Sequence, residues 1–100
     1  MKLVFVCSPY SGDVEKNAQN AQRFCRYVVD SGHIPIAPHL LFPQFMDEET
    51  EREEAMVRSI ELLKRCDWVW IFGDKLTSGM NREIGVAIYE EIPFERILNV

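Results

Sequence analysis

Two short apolar runs constrain this chain most strongly: KLVFVC at positions 2–7 and WVWIF at positions 68–72. Both runs are rich in β-branched and aromatic residues, and neither alternates with polar ones. Uninterrupted runs of this length are typical of strands that are buried on both faces of a sheet. Such a sheet needs cover on both sides, so the remaining segments have to supply it.

The cover comes from three segments in which apolar residues recur at helical spacing. Their expected boundaries are Asp13 to Gly32, Thr50 to Arg65, and Met80 to Pro93. Asp13 is a favourable N-cap, and Thr50 with Glu53 fits a capping box that would open the second helix. Residues 34–37 and 94–100 are expected to add short strands.

Strands and helices therefore alternate along the chain, which predicts a parallel sheet with helices on both faces. A length of 100 residues leaves room for one domain. The expected fold is α/β: a single three-layer Rossmann/flavodoxin-like domain over residues 1–100, with a mostly parallel sheet of four to five strands. In such sheets, ligands bind beyond the carboxyl ends of the strands.

The segment 38–49 fits neither pattern. It is rich in apolar residues, but Pro43 and the lack of a period argue against a regular helix or strand. An apolar loop has to bury its side chains somewhere, so it is expected to be a lid over a site, a contact between subunits, or both. A homo-oligomer, a dimer or larger, is expected to form through this loop and the helices.

Charge and cysteine content narrow the function classes. Eleven Lys and Arg against sixteen Asp and Glu leave a net charge of −5, which lacks the basic surface that nucleic-acid binding needs. No apolar stretch approaches the length of a membrane span, so no membrane partner is expected. The cysteines Cys7, Cys25 and Cys66 form no CxxC pair, which predicts reduced thiols and a cytoplasmic location.

Several familiar binding motifs are missing. No GxGxxG follows the first strand and no GxxxxGK[ST] occurs, which argues against dinucleotide and triphosphate binding by those devices. No HExxH and no cluster of Cys and His occurs either, so neither a metal nor another cofactor is expected.

Polar and flexible residues gather at the expected carboxyl ends of two strands. The first group is Cys7, Ser8, Pro9, Tyr10, Ser11 and Gly12, and the second is Gly73, Thr77, Ser78 and Gly79. Each group leads into a helix N-terminus, where free backbone N–H groups and hydroxyls can bind an anion. Plain strand-to-helix turns with N-caps would have the same composition.

Two residues are candidates for chemistry. Glu83 is expected near the first turn of the last helix, where the helix dipole would keep its carboxylate ionised and able to attack an electrophilic sugar carbon. A glutamate that only balances the dipole would look the same. His39, in the apolar loop, is the better histidine candidate for a general acid, because His33 follows a helix-ending glycine and is expected at the surface.

Four segments of the chain form a larger pattern in their order and spacing. They are LVFVCSPYSG, GHIPIAPHLLF, LLKRCDWVWIFG and SGMNREIGVAIYEEIP. Together they resemble the nucleoside 2-deoxyribosyltransferase superfamily, including its small nucleotide N-glycosidase-like and uncharacterised branches. The last segment is the most specific, since that family has a small-residue turn followed by E-[IL]-G-x-A in its final helix.

The resemblance implies an enzyme that cleaves or exchanges the N-glycosidic bond of a 2′-deoxynucleoside 5′-monophosphate or nucleoside. Glu83 would attack the anomeric carbon, and a covalent deoxyribosyl-glutamate would pass the sugar to a second base or to water, as in retaining glycosidases. Residues 8–12 would line the pocket for sugar and base, and Ser78 with Gly79 would face the 5′ end of the sugar.

Three positions depart from the family pattern. Phe5 stands where family members often carry a tyrosine that orients the nucleophile. Ser59 stands where an aspartate assists the leaving base, which leaves Glu61 or His39 as substitutes. Thr77 replaces an acid that precedes the nucleophile in enzymes acting on free nucleosides, and this favours a 5′-monophosphate.

Two other functions are compatible with these departures. Phe5 and Ser59 remove expected catalytic partners, so the alternative is a non-catalytic module that binds a nucleotide or nucleotide-sugar. The apolar segment 38–49 is also compatible with a structural subunit of an assembly. For the enzyme and for the binding module, the expected partner is a small-molecule nucleoside or nucleotide.

Overall fold

The structure is a computed structural model that describes all 100 residues. Its strands are β1 (Leu3–Cys7), β2 (Ile34–Ile36), β3 (Trp68–Ile71) and β4 (Phe94–Arg96). Its helices are α1 (Val14–Asp30), α2 (Pro38–Leu41), α3 (Arg52–Lys64) and α4 (Ser78–Tyr89), and a 3₁₀ helix follows α2 at Phe42–Gln44.

The four strands form one parallel sheet in the order β2-β1-β3-β4. The chain first adds β2 on one side of β1 and then adds β3 and β4 on the other. The strand order therefore reverses between β1 and β3, whose last residues, Cys7 and Ile71, are register partners. Parallel α/β sheets bind ligands at this switch point, beyond the carboxyl ends of the two central strands.

The sheet is the middle of three layers, as the sequence predicts. Alternate side chains of the central strands point to opposite faces because a strand has a period of two. The side chains packed on α1 are Val4, Val6, Trp70 and Phe72, and those packed toward α3 and α4 are Phe5, Cys7, Val69 and Ile71. The two apolar runs are thus buried on both faces, and the α/β prediction is confirmed.

Both tryptophans lie on the α1 face of β3. Trp70 is 6% exposed and meets Trp68 edge-on, with 5.3 Å between ring centroids. Tyr27 of α1 and His33 at the start of β2 also lie against Trp70. Burying these large rings contributes more apolar area than any aliphatic side chain could, so they anchor α1 on the sheet.

The prediction that residues 38–49 contain no regular element is wrong. Pro38 opens α2 at its first position, where a missing backbone N–H costs nothing, and Pro43 lies within the following 3₁₀ helix. Each helix is too short to show a period, which is why the sequence pattern did not reveal them.

The predicted capping box at Thr50 and Glu53 is also wrong. Helix α3 has Glu51 at its N-cap, without a side-chain hydrogen bond to the first turn. The turn before the helix is held by a different reciprocal pair: the Asp47 carboxylate accepts from the Glu49 and Thr50 N–H groups, and the Glu51 carboxylate accepts from the Asp47 N–H. The cap at Asp13, by contrast, is confirmed, because its carboxylate accepts from the Lys16 N–H.

Gly73 shapes the chain where it leaves β3. Its φ is +99°, and a Cβ there would lie 3.1 Å from the Cδ of Pro9. Gly73→Ala should therefore lower the free energy of unfolding by about 1–3 kcal/mol, measured by urea denaturation. The control is Gly85→Ala in regular α4, where a Cβ meets nothing within 4 Å; it should gain about 0.5–1 kcal/mol. Equal urea midpoints for the two variants would contradict this prediction.

Candidate active site

A cavity of about 120 Å³ opens at the carboxyl end of the sheet, on the side covered by α3 and α4. The loop after β1, the segment from α2 to the 3₁₀ helix, the start of α3 and the first turns of α4 form its walls. The lining residues are Ser8, Tyr10, Ser11, Pro38, His39, Phe42, Pro43, Glu48, Arg52, Ala55, Met56, Ser59, Thr77, Gly79, Met80 and Glu83. The cavity therefore lies where the switch-point rule expects a ligand.

Glu83 reaches this cavity from the second turn of α4. Thr77 caps the helix by accepting the Met80 N–H, and helical residues begin at Ser78. Burial raises the pKa of Glu83 to about 7, and a hydrogen bond with the Cys7 thiol opposes this increase. The expectation that the helix dipole keeps this carboxylate ionised is therefore not met at neutral pH: the dipole field fades after the first turn, and desolvation outweighs it.

His39 lies in the same cavity, with its Nε2 atom 2.9 Å from the Ser8 hydroxyl. Burial lowers its pKa to about 4, so the imidazole is neutral at pH 7. The ring of Tyr10 packs edge-on against it at 6.1 Å. His39 is therefore held in place, but it carries no imidazolium proton at neutral pH, and the predicted general-acid role does not fit its charge state.

Two further polar groups face the cavity from the segment leading into α3. Burial and the nearby negative charge of Glu48 raise the pKa of Tyr10. Arg52 forms no ion pair, and it is the only Lys or Arg in the lining. A lone cation and first-turn N–H groups of α4 thus border one cavity, an arrangement that suits an anionic ligand.

Ser59 occupies the position where the resemblance expects an aspartate that assists the leaving base, and Glu61 was suggested as a substitute for that acid. Ser59 lines the cavity, but its hydroxyl donates to the Ala55 carbonyl oxygen at 3.0 Å. Glu61 does not line the cavity, and it lies near Lys64 and Arg65 on the exposed side of α3. Glu61 is therefore wrongly suggested as a substitute acid, because its helix position turns it toward solvent.

The structure brings seven of the predicted site residues together at the cavity: Ser8, Tyr10, Ser11, His39, Thr77, Gly79 and Glu83. Cys7 does not line it: this residue is buried at the end of β1, where its thiol donates to the Met80 carbonyl oxygen at 3.9 Å. Gly12 and Ser78 do not line it. Pro9 and Gly73 border a second, more polar cavity of about 270 Å³ near Arg23 and the C-terminal residues.

His33 lies at the opposite, amino end of the sheet. Its Nδ1 atom accepts from the Lys2 N–H at 3.2 Å, and its ring meets both tryptophans edge-on. The prediction of a surface residue is therefore only half right, since His33 is partly buried in a structural contact.

Sequence reasoning missed the wall that α3 contributes. Glu48 and Arg52 belong to a charged segment with no distinguishing pattern, and only the packing of α3 places these exposed side chains beside the cavity. The apolar segment did carry a signal. Its expected role as a lid agrees with the position of Pro38, Phe42 and Pro43 in the cavity wall.

No three acidic, histidine or cysteine side chains converge in a way that could hold a metal ion. None of the helices combines the length and the apolar character needed to cross a membrane. All three cysteines are unpaired.

The fold and the cavity define a small three-layer α/β domain with a partly buried glutamate at its switch point. Residues 2–97 match the family described as a domain of unknown function (DUF7768), and the chain belongs to that family. No curated protein matches the chain.

Among solved structures, the chain is similar to a 2-deoxyribosyltransferase from the psychrotolerant bacterium Bacillus psychrosaccharolyticus. The TM-score is 0.67 at 19% sequence identity, and the match covers 97% of this chain and 77% of the other. The predicted fold of the nucleoside 2-deoxyribosyltransferase superfamily is thereby confirmed, while an identity this low leaves the chemistry to be argued from the site.

Proposed function

We propose that residues 1–100 form a nucleoside 2-deoxyribosyltransferase-like domain that cleaves or exchanges the N-glycosidic bond of a 2′-deoxynucleoside 5′-monophosphate or nucleoside. The observation that carries the proposal is the Glu83 carboxyl group, which faces a cavity at the switch point of the sheet. The fold it shares with a 2-deoxyribosyltransferase adds support.

In the proposed reaction an ionised oxygen of Glu83 attacks the anomeric carbon. The bond from that carbon to the base nitrogen breaks, its electron pair leaves with the base, and a sugar ester of Glu83 forms. Water or a second base then attacks the same carbon and frees the carboxylate. Because the pKa of Glu83 is about 7, the attacking form becomes dominant only above neutral pH.

The departing base receives little help from the cavity. His39 is neutral at pH 7, and the Ser59 hydroxyl is already engaged by a backbone carbonyl. A positioned proton donor typically contributes about 10²–10⁴-fold in rate. Slow hydrolysis of substrates with a good leaving base is therefore favoured over fast transfer.

The preference for a 5′-monophosphate is supported by Arg52 and the N-terminus of α4. Arg52→Ala should raise KM for a deoxynucleoside monophosphate by about tenfold, because one charge-assisted hydrogen bond to the phosphate is lost. KM for the free nucleoside should stay unchanged. Arg58→Ala is the matched control, since Arg58 lies on the same helix and outside the cavity lining. Equal increases for both substrates would contradict phosphate recognition.

The covalent step can be tested by intact mass. Incubation with a 2′-fluorinated deoxynucleotide, whose ester should hydrolyse slowly, is expected to add one fluorosugar phosphate to the wild type and nothing to Glu83→Gln. Peptide mapping should place the adduct on Glu83. A wild-type protein that releases base but never gains this mass would contradict the covalent mechanism.

A second function is favoured by one observation. Ser59 replaces the expected base-assisting acid, and its hydroxyl donates to a carbonyl oxygen of its own helix. A non-catalytic module that binds a nucleotide or nucleotide-sugar would need no such acid. Calorimetry beside the base-release assay separates the two functions, because binding without turnover favours the module.

We also propose that copies of the chain associate through residues 38–49. Leu41 and Phe45 of this segment are 47% and 67% exposed. Two exposed apolar side chains on one short segment can form part of a contact surface between copies of the chain. Light scattering that gives the mass of a monomer would contradict the association.

A further inference from the structure

The segment 73–76 joins the end of β3 to the N-terminus of α4, and its backbone makes no hydrogen bond with any other backbone group. The residues on either side of it are well held: the Phe72 N–H donates to the Cys7 carbonyl oxygen, and the Thr77 carbonyl oxygen accepts from the Asn81 N–H. The charged side chains of the segment form no ion pair. Side chains from elsewhere in the chain therefore have to fix its position.

Arg96, the last residue of β4, supplies the missing hydrogen bonds. Its Nη2 atom donates to the Gly73 carbonyl oxygen at 2.9 Å and to the Asp74 carbonyl oxygen at 3.2 Å. Arg96 forms no ion pair, so these two carbonyl groups are its only polar partners. No other hydrogen bond holds the segment 73–76 to the rest of the protein.

The register of the sheet explains why Arg96 can reach the segment. Arg96 is the register partner of Ile71, the last residue of β3, and the next N–H, that of Ile97, donates to the Ile71 carbonyl oxygen. The ends of the two strands therefore lie side by side. A long arginine side chain at the end of β4 thus meets the carbonyl groups that follow β3.

The segment leads into the part of α4 that borders the cavity. Thr77 and Gly79 line the cavity, and both precede Met80, whose side chain is 1% exposed and belongs to the core. Met80 anchors the helix from that point onward, and Glu83 follows it. The first residues of α4 therefore depend on the segment 73–76 for their position, whereas Glu83 depends on the packing of the helix.

We propose that Arg96 is a positioning residue that holds the N-terminus of α4 in place for the 5′-phosphate of the substrate. Arg96 does not line the cavity, so it acts through the Gly73 and Asp74 carbonyl groups. Without these hydrogen bonds the segment would become ordered only when the ligand binds, and the lost entropy would weaken binding. The inference rests on the proposed function, in which the N-terminus of α4 receives the phosphate.

Arg96→Ala should raise KM for a deoxynucleoside monophosphate by about tenfold, which corresponds to ordering about one residue on binding. Both kcat and KM for the free nucleoside should change little, because Glu83 and the walls of the base pocket keep their supports. Arg96→Lys should restore most of the affinity, since an ammonium group can donate to both carbonyl oxygens. A general loss of structure would instead lower kcat for both substrates.

Arg26→Ala is the matched control, because it removes the same charge. Arg26 is exposed, pairs only with Asp30, and borders neither cavity. Its loss should leave KM for both substrates unchanged. Equal increases in KM for the monophosphate in Arg26→Ala and Arg96→Ala would show an effect of net charge alone and would overturn the proposal.

Nitrogen-15 relaxation of the backbone amides tests the contact without turnover. In Arg96→Ala the order parameters of residues 74–76 should fall from about 0.85 to below about 0.6, and in Arg96→Lys they should stay near the wild-type values. Unchanged order parameters in Arg96→Ala would overturn the proposal. The same holds for a KM that rises equally for the monophosphate and the free nucleoside.

The failure of this inference can be told apart from the failure of the proposed function. If the wild type binds the monophosphate but releases no base, the proposed reaction fails, and Kd values from calorimetry replace KM in the same comparison. If the wild type releases base and Arg96→Ala does so with an unchanged KM for the monophosphate, the reaction stands and the positioning role fails.

Discussion

Glu83→Gln should lower the rate of base release from a 2′-deoxynucleotide by at least about 10³-fold, because the amide cannot form the sugar ester. The loss should appear in kcat, since Gln keeps nearly the same shape and leaves the cavity walls intact. In the wild type, kcat should rise with pH through about 7, as the Glu83 carboxyl group loses its proton. Initial rates between pH 5 and 9, followed by separating free base from nucleotide, measure both effects.

The matched control is Glu90→Gln at the other end of α4. Glu90 is exposed and lies outside the cavity lining. This variant makes the same chemical change on the same helix, so its rate should equal that of the wild type. Equal rates for the wild type and Glu83→Gln would rule out Glu83 as the nucleophile.

The second large effect is on stability: the substitution Glu83→Gln, which should abolish activity, should make the folded protein more stable above neutral pH. In the unfolded chain Glu83 has its ordinary pKa of 4.5, and in the fold its pKa is about 7. Between these values the folded chain holds a proton that the unfolded chain has lost, so the free energy of unfolding falls as pH rises. The full effect is at most about 3 kcal/mol, an upper bound because Glu83 is only partly buried.

Glu83→Gln should therefore match the wild type near pH 4 and exceed its stability by up to about 3 kcal/mol at pH 8. Urea denaturation at a series of pH values gives the difference between the two curves. A variant that is less stable than the wild type at pH 8 would contradict the burial of Glu83. Together with the first prediction, the expected result is a protein that is more stable and inactive.

His39 contributes a slope of the opposite sign. Its pKa falls from 6.5 to about 4 on folding, so between these values the unfolded chain holds the extra proton and stability rises with pH. The slopes from Glu83 and His39 oppose each other wherever these windows overlap. Glu83→Gln should thus expose the rising slope of His39, and His39→Gln should expose the falling slope of Glu83.

The sequence was a good guide to the architecture because two strands were uninterrupted apolar runs and three helices had apolar residues at clear helical spacing. The runs at 2–7 and 68–72 indicated burial on both faces, and the alternation of elements indicated a parallel sheet. The segment 38–49 was mistaken for a loop, because one turn of helix opened by proline has no period to detect. Local patterns fail at elements this short.

The charge of Glu83 was harder to predict, because it depends on distance and burial rather than on the local pattern. The turn before α4 suggested a first-turn residue under the helix dipole. The helix begins at Ser78 instead, and burial desolvates the carboxyl group. Likewise, only the docking of α3 reveals that Arg52 belongs to the site. Both features come from contacts between residues far apart in the chain.

The placement of Trp68 and Trp70 has a practical consequence. Both indole rings lie under α1, across the sheet from the cavity. Their fluorescence should change strongly when α1 detaches on unfolding, yet stay nearly constant when a small molecule occupies the cavity. Tryptophan fluorescence should therefore report unfolding but not ligand binding, so ligand affinity is better measured by calorimetry or by mass spectrometry.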